Sequence, residues 1–433
     1  MVSRVQIAAS LCVAAFGVSL SAQPALVRTP ARTLVRAGHL LDVKTGKLAD
    51  AQTIVVVGDT IQSIGPSGSV SAQPGDTVID LGGMTVMPGL IDVHTHLTMN
   101  PDFDPYRELT TTDAKEAING VANARTTLLA GITSVRNVGA GGFTDVDLRD
   151  AINAGQVPGP HMEVSGPLIG ITGGHCDENL LPIRYHTVGD GVADGIPQVQ
   201  HMVRQNIKYG ADLIKICATG GVLSKGDDPQ ASQFTLEEMQ AIVADAHRLG
   251  RKVAAHAHGS QGILWATKAG VDSIEHGSYI NDQGIAEMKK NGTYLVPTLY
   301  LEDWMLEKGS LPPFYRQKMI DVSAVAKSNI KHAMQAGVKI AMGTDAAVYP
   351  HGLNAHELDV YVNQLGMAPL AALQTATINA ADLMGWTAKT GTLEAGKWAD
   401  IIAVDKNPMD DVRVLQDVKF VMKGGVVYKN ETK

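Results

Sequence analysis

The 433-residue sequence predicts an α/β fold: a (β/α)₈ TIM barrel with a small β-sandwich domain built from both chain ends. Three observations carry this. Eight short apolar runs alternate with longer amphipathic segments across residues 84–389. Residues 32–83 and 390–433 are instead rich in short β-prone runs divided by Gly, Asp and Pro turns. The length accommodates a barrel of roughly 250 residues and a second unit beside it.

Residues 1–22 read as a signal peptide: Arg4 precedes an apolar run from Val5 to Leu20, and the small residues Ser21 and Ala22 follow. The run is shorter than the ~20 residues of a spanning helix and is interrupted by Gln6 and Ser10. An exported protein, periplasmic or secreted and without a membrane partner, is the expectation. Thr53 to Val57, Thr60 to Ile64 and Thr77 to Asp80 are strand candidates, matched at the other end by Asp400 to Val404, Val418 to Met422 and Val426 to Tyr428. Lys423-Gly424-Gly425 suits a hairpin turn. Neither set makes a domain alone, so the two are expected to pair into one sandwich.

The eight central strands are Leu90 to His96, Ile132 to Val138, Met162 to Leu168, Ala211 to Cys217, Lys252 to His258, Val271 to Glu275, Tyr294 to Leu299 and Val338 to Met342. Helical runs include Thr235 to Leu249, Gln317 to Ala336 and Pro369 to Leu383, with Gly250 and Gly337 as stop residues.

Composition narrows the function classes. Lys plus Arg number 36 against 44 Asp plus Glu, a net charge of −8 that provides no basic footprint for nucleic acid. Hydrophobic residues at 45% exclude a disordered chain. Past the leader only Cys176 and Cys217 remain, too few for a disulfide framework, so packing must supply the stability. Cys217 reads as barrel lining.

In a barrel of this kind, reactive groups gather at the C-terminal strand ends. His94 and His96 stand at i, i+2 on one face of the first strand, where both imidazoles can reach one ion. The fourth strand carries Lys215 and the fifth His256, His276 follows the sixth, and Asp345 lies just beyond the eighth. A lone His at a strand end is usually a hydrogen-bonding group, and Asp345 could merely cap a helix. Lys215 is harder to dismiss, because an unpaired ammonium among Leu213, Ile214 and Ile216 would cost several kcal/mol.

Pro88-Gly89-Leu90-Ile91-Asp92-Val93-His94-Thr95-His96, Lys215, His256, His276 and Gly343-Thr344-Asp345 resemble the amidohydrolase superfamily. Thr172-Gly173-Gly174-His175, Gly220-Gly221-Val222-Leu223-Ser224 and Pro350-His351-Gly352 resemble its group of Xaa-Pro dipeptidases and ochratoxin-cleaving enzymes, over about Arg32 to Tyr428. Cys176 and His161 depart from that pattern, where Gly and Arg are expected. The resemblance implies two divalent metal ions, expected to be Zn²⁺: His94 and His96 on one, His256 and His276 on the other, and Asp345 beside the first. A carbon dioxide-derived carbamate on Lys215 would bridge them. Water activated between the ions would attack, and Asp345 would take its proton and hand it to the leaving amine.

For substrate, His175 is the best candidate to contact a carbonyl or carboxylate. Leu223 and Ser224 are further substrate-side candidates, with His351 a weaker one, and Arg136 would either pair a substrate carboxylate or form an internal salt bridge. His258 is expected to support the ligands from behind. The loop from Gly220 to Pro229 is expected to close over the substrate. The implied function is hydrolysis of a small N-acyl amino acid or dipeptide, with ochratoxin A, an N-acyl phenylalanine, as the sharpest candidate. Alternatives are an Xaa-Pro dipeptidase, an imidazolonepropionase-like cyclic amide hydrolase, and a periplasmic metal- or solute-binding protein without turnover. A homo-oligomer, up to an octamer, is expected from the resemblance.

Overall fold

The computed structural model describes residues 32–101 and 110–432. The expected signal peptide lies outside them. Four strands open the described chain: β1 (Arg32–Asp42), β2 (Lys47–Val57), β3 (Thr60–Pro66) and β4 (Thr77–Pro88). Strands and helices then alternate: β5 (Leu90–Thr95), α1 (Asp113–Leu129), β6 (Ile132–Asn137), α2 (Thr144–Asn153), β7 (His161–Val164) and α3 (Ile196–Lys208). They continue with β8 (Leu213–Cys217), α4 (Leu236–Arg248), β9 (Lys252–Ala257), α5 (Ser260–Ala269), β10 (Ser273–His276) and α6 (Asp282–Asn291). After β11 (Tyr294–Val296) come α7 (Tyr300–Glu307), α8 (Pro313–Gln335) and β12 (Lys339–Ile340). The chain closes with β13 (Ile401–Val404), β14 (Phe420–Lys423) and β15 (Val426–Asn430).

The inner strands form two parallel sheets, β5-β6-β7 and β12-β11-β10-β9-β8. Parallel bridges Ile169↔Ile216 and Thr95↔Ala346 link their edges, and the Val93 amide donates to the Met342 carbonyl at 2.9 Å. The eight strands therefore follow one another around a ring. Every residue of β5, β6 and β8 is buried, as expected of strands covered on both faces. Helix limits follow local chemistry: Thr235 and Glu238 form a reciprocal capping box on α4, and Gly250 and Gly337 adopt φ of 72° and 87° just beyond α4 and α8.

One expectation needs correction. The run Pro369 to Leu383 is two helices, Pro369–Thr375 and Ile378–Met384, with Thr377 outside helical geometry. Strand amides take the carbonyls at the break: Met342 donates to Thr375 and Ile91 to Ala376. Tertiary hydrogen bonds thus override a continuous helical pattern. The chain ends meet in one hydrogen-bonded sheet of order β15-β14-β13-β4-β1-β2-β3, and the bridge Thr60↔Trp398 ties its β3 edge to the segment that enters β13. The 12-residue β4 pairs parallel with β1 and antiparallel with β13, so it joins the N- and C-terminal strands. Val35, Ile54, Val86, Ile401 and Phe420 form its apolar core. Among the described residues no helix is long and apolar enough to cross a membrane.

Candidate metal centre

The C-terminal ends of the inner strands bring together His94, His96, His256, His258 and His276 with Lys215 and Asp345, all lining one cavity of about 330 Å³. Asp92 ties the first strand to the segment after β12. Its Oδ1 accepts from the His94 and Thr344 amides, and its Oδ2 from the Thr344 hydroxyl at 2.5 Å and Asn354 Nδ2 at 2.7 Å. Asp345, next in the chain, donates its amide to the His94 carbonyl at 2.7 Å. A Cβ on Gly343 would come within 2.7 Å of the His94 Cβ, so glycine is required where this segment passes His94.

Four residues at the cavity adopt positive φ values that non-glycine residues avoid: His276 (φ 69°), Thr298 (φ 52°), Asp345 (φ 58°) and Ala347 (φ 130°). Such conformations cost about 1–3 kcal/mol each and persist where the surroundings enforce them. Adjacent strand residues normally face opposite ways. The turn at His276 lets it face the cavity beside Glu275, which also points inward.

The histidines are oriented from behind. His94 Nδ1 donates to Glu275 Oε2 at 2.8 Å, His96 Nδ1 to the Gly139 carbonyl at 3.0 Å, and His256 Nε2 to the Gly220 carbonyl at 3.2 Å. Thr298 gives its hydroxyl proton to the Pro297 carbonyl and so accepts from His276 Nδ1 at 2.7 Å. His258 Nδ1 lies 2.8 Å from the Ser278 hydroxyl. Each ring therefore has one nitrogen occupied and one left for the cavity, the arrangement that fixes the tautomer of a metal-ligating histidine. Sequence reading missed Glu275, Thr298 and Ser278 as these supports. Glu275 carried a usable signal: a carboxylate inside the apolar run Val271 to Glu275 needs a partner.

Electrostatics agree with this geometry. Burial pushes His256 and His276 well below the usual imidazole range and His258 down to about 3, so their neutral, ligating forms prevail. Burial raises Asp345, but the neighbouring His94 and His96 more than offset it and hold the carboxyl well below its usual range. Its Oδ1 lies 3.4 Å from His94 Nε2 and 3.3 Å from His96 Nε2. Burial brings Lys215 down to about 8 against the attraction of Glu275 and Asp345, which makes its amine far easier to deprotonate than a surface lysine.

Two triads place their ligand atoms within 4.8 Å of one another: His256, His258 and His276, and His94, His276 and Asp345. Buried neutral imidazoles plus one ionised carboxylate form a donor set that fits divalent ions such as zinc. His258, expected only as a support, offers a ligand atom of its own.

The remaining candidates divide. His175 and Leu223 line the cavity. Ser224 sits behind His175, its Oγ 2.7 Å from His175 Nδ1, and is absent from the lining. The substrate reading of Arg136 is corrected: 1% exposed and away from the cavity, it donates to Glu275 Oε1 at 2.8 Å, Ser273 Oγ at 3.0 Å and the Val93 carbonyl at 2.6 Å. His351 bonds the Met99 carbonyl at 3.0 Å and likewise does not line the cavity. Cys176 and Cys217 both line it and are joined as a disulfide, with Cα atoms 6.1 Å apart, which corrects the reading of two separate thiols. His161 stacks on Trp398 at 4.0 Å, remote from the ligands. The loop after β8 is already anchored, with Lys318 Nζ bonding the Gly221 and Ser224 carbonyls and Asp227.

The Amidohydrolase family model matches residues 85–428. The chain is 37% identical to ochratoxinase from Aspergillus niger over 371 residues, covering 79% of this chain and 75% of that one. The fold superposes on a Xaa-Pro dipeptidase crystallised with methionine in its active site, with TM-score 0.88 and 38% identity over 92% of this chain and 100% of that one. The crystal structure of A. niger ochratoxinase gives TM-score 0.82 and 31% identity, covering 92% and 96%.

Proposed function

The chain belongs to the amidohydrolase family, and from that membership we propose that it is a binuclear, zinc-dependent hydrolase of the amide bond in N-acyl amino acids, with ochratoxin A as substrate. That it is a metal-dependent amide hydrolase follows from the family and from relatives of both the ochratoxinase and dipeptidase kinds. The reading rests on one observation above the others: His94, His96 and Asp345 meet His256 and His276 around the buried amine of Lys215. Chain order around the ring, together with the family fold, supports a closed (β/α)₈ barrel carrying these groups at one mouth.

His94, His96 and Asp345 would hold one ion, and His256 and His276 the other, with Lys215 as a carbamate between them. A depressed lysine favours that modification, since only the neutral amine takes up carbon dioxide. Divalent ions in such a site supply Lewis acidity, which polarises a carbonyl and acidifies water to a pKa of about 7. The chain's own groups do the rest. Asp345, held ionised, accepts the proton of the attacking water and returns it to the departing amine nitrogen. Glu275, Thr298 and the Gly139 and Gly220 carbonyls keep the imidazoles turned inward throughout. Apolar walls from Leu168, Leu223, Leu301, Met319 and Val322 suit an aryl or aliphatic substituent and exclude water from it.

The proposal extends to export through the N-terminal segment and to a homo-oligomeric assembly; the Cys176–Cys217 disulfide supports an oxidising compartment. The test is product release from ochratoxin A, other N-acyl amino acids and Xaa-Pro dipeptides, with and without a chelator. Chelator-sensitive release of phenylalanine from ochratoxin A supports the reading. Turnover confined to Xaa-Pro dipeptides moves the assignment to a dipeptidase, and turnover of none overturns it.

A further inference from the structure

Two walls of the cavity are tied together by a lysine that does not line it. Val222 and Leu223, on the loop after β8, form part of one wall, and Tyr315, Met319 and Val322 of α8 form part of another. Lys318 shares the face of α8 that carries those three residues. Its Nζ reaches across to the loop, donating to the Gly221 carbonyl at 2.9 Å, the Ser224 carbonyl at 2.8 Å and Asp227 Oδ1 at 2.8 Å. All three ammonium protons are thereby used. Gly221 and Ser224 bracket Val222 and Leu223, so the clamp grips both ends of the segment that faces the cavity.

The rest of the loop is held as firmly. Asp227 Oδ2 accepts from the Gly221 amide at 3.0 Å and from Gln233 Nε2 at 3.3 Å. At the base, the Gly220 amide donates to the Ala231 carbonyl at 3.1 Å, and Thr219 and Ser232 form an antiparallel bridge. A Cβ on Gly220 would fall 2.2 Å from the Asp228 carbonyl oxygen, so the loop folds back on itself there with no room to spare. The Lys318 and Asp227 side chains are only 20% and 7% exposed, which shields their ion pair from salt.

The loop expected to close over substrate is thus a wall already in place. A pocket set before binding spares the cost of ordering a loop, and a substituent that fills it contributes binding from a part of the substrate that does not react. A small substituent leaves the pocket empty and gains nothing from it. We infer that Lys318 is a positioning residue that holds Val222 and Leu223 with the α8 wall as a preformed slot, and so selects substrates bearing an aryl or long aliphatic substituent over small ones. The inference rests on the amide hydrolase reading and adds to it what fixes the substrate pocket.

The test compares kcat and KM for N-benzoyl-phenylalanine and N-acetylglycine in the metal-loaded native protein and in Lys318→Met, which keeps an apolar stem and loses the donors. The native preference in kcat/KM for the larger substrate should fall by roughly tenfold or more, through a raised KM for that substrate. Lys318→Gln, whose shorter amide cannot reach all three acceptors, carries the same expectation and serves if Lys318→Met does not fold. Trypsin reads the loop without reference to activity, because Lys225 within it is exposed. Cleavage after Lys225 should be slow in the native protein and faster in the variant. Rapid cleavage there in native protein, an unchanged preference in the folded variant, or an equal loss for both substrates overturns the inference alone. Native protein that hydrolyses no amide at all overturns the proposed function and the inference with it.

Discussion

Glu275 holds His94 by one oxygen and Arg136 by the other, each at 2.8 Å, with all three side chains buried. The carboxylate thus orients a metal-ligand candidate while the guanidinium supplies the charge that keeps it ionised. Burial raises Glu275, but Arg136 and His94 more than offset it and hold the carboxyl down to about 2. Glu275→Gln should keep the fold and lower metal affinity by roughly 10–100-fold, the usual effect of losing such a support. Competition against a chromogenic chelator measures it, and unchanged affinity would remove Glu275 from this role.

Arg136→Met strands a buried carboxylate, as Glu275→Gln strands a buried guanidinium, but it leaves the Glu275 oxygen that holds His94 in place. Loss of one partner of a buried pair costs about 3–5 kcal/mol. Urea unfolding should show a large drop in stability, whereas a substrate-binding arginine would have changed KM with stability intact.

Asp345→Asn, assayed with Zn²⁺ added to saturation because the carboxylate is also a candidate ligand, should lose about 10²-fold or more in kcat, in the range of general acid–base contributions. Metal analysis and steady-state kinetics on one preparation separate the two effects. A mild loss would take proton transfer away from Asp345.

Glu302 gives a pH prediction outside the ligand set. It is 5% exposed in the cavity wall, its Oε2 has no hydrogen-bond partner among the described residues, and burial raises it to about 8. An unfolded glutamate titrates near 4.3. Between those values the unfolded chain has lost the proton that the fold retains, so stability falls as pH rises and levels off above the folded value. Glu302→Gln should therefore be neutral near pH 4 and stabilising by a few kcal/mol, to order of magnitude, at pH 8. Denaturant midpoints at the two pH values test the sign.

The Cys176–Cys217 bridge closes a 41-residue separation and joins the His175 loop to the strand carrying Lys215. Neither thiol should react in denatured, unreduced protein, and removing both by Cys→Ser substitution should cost about 2–4 kcal/mol. Free thiols at both positions would contradict the pairing.

Much of the centre was legible in the sequence because it violates local rules. Lys215 among Leu213, Ile214 and Ile216, and His94 after Ile91 and Val93, are polar groups in strands buried on both faces, and such groups need partners. Depth along a strand was not legible. Arg136 shares the inward face with the ligands but sits deeper, where it meets Glu275. His276 was readable only as a residue beyond a strand, since its left-handed turn depends on tertiary packing. The hydrogen bonds from Asp227 through Ser224 to His175 were hidden for another reason: Asp227 and His175 are 52 residues apart, and a serine beside a glycine-rich loop gives no pattern of its own.

The central claim is that His94, His96, Lys215, His256, His276 and Asp345 together hold a pair of ions that make amide cleavage possible. Metal-stripped protein titrated with Zn²⁺ in bicarbonate buffer tests it, reading bound metal and ochratoxin A hydrolysis on the same samples. Activity should rise to a plateau at two ions per chain, and Lys215→Ala should bind fewer and stay inactive. Full activity at one ion, or in Lys215→Ala, would contradict it.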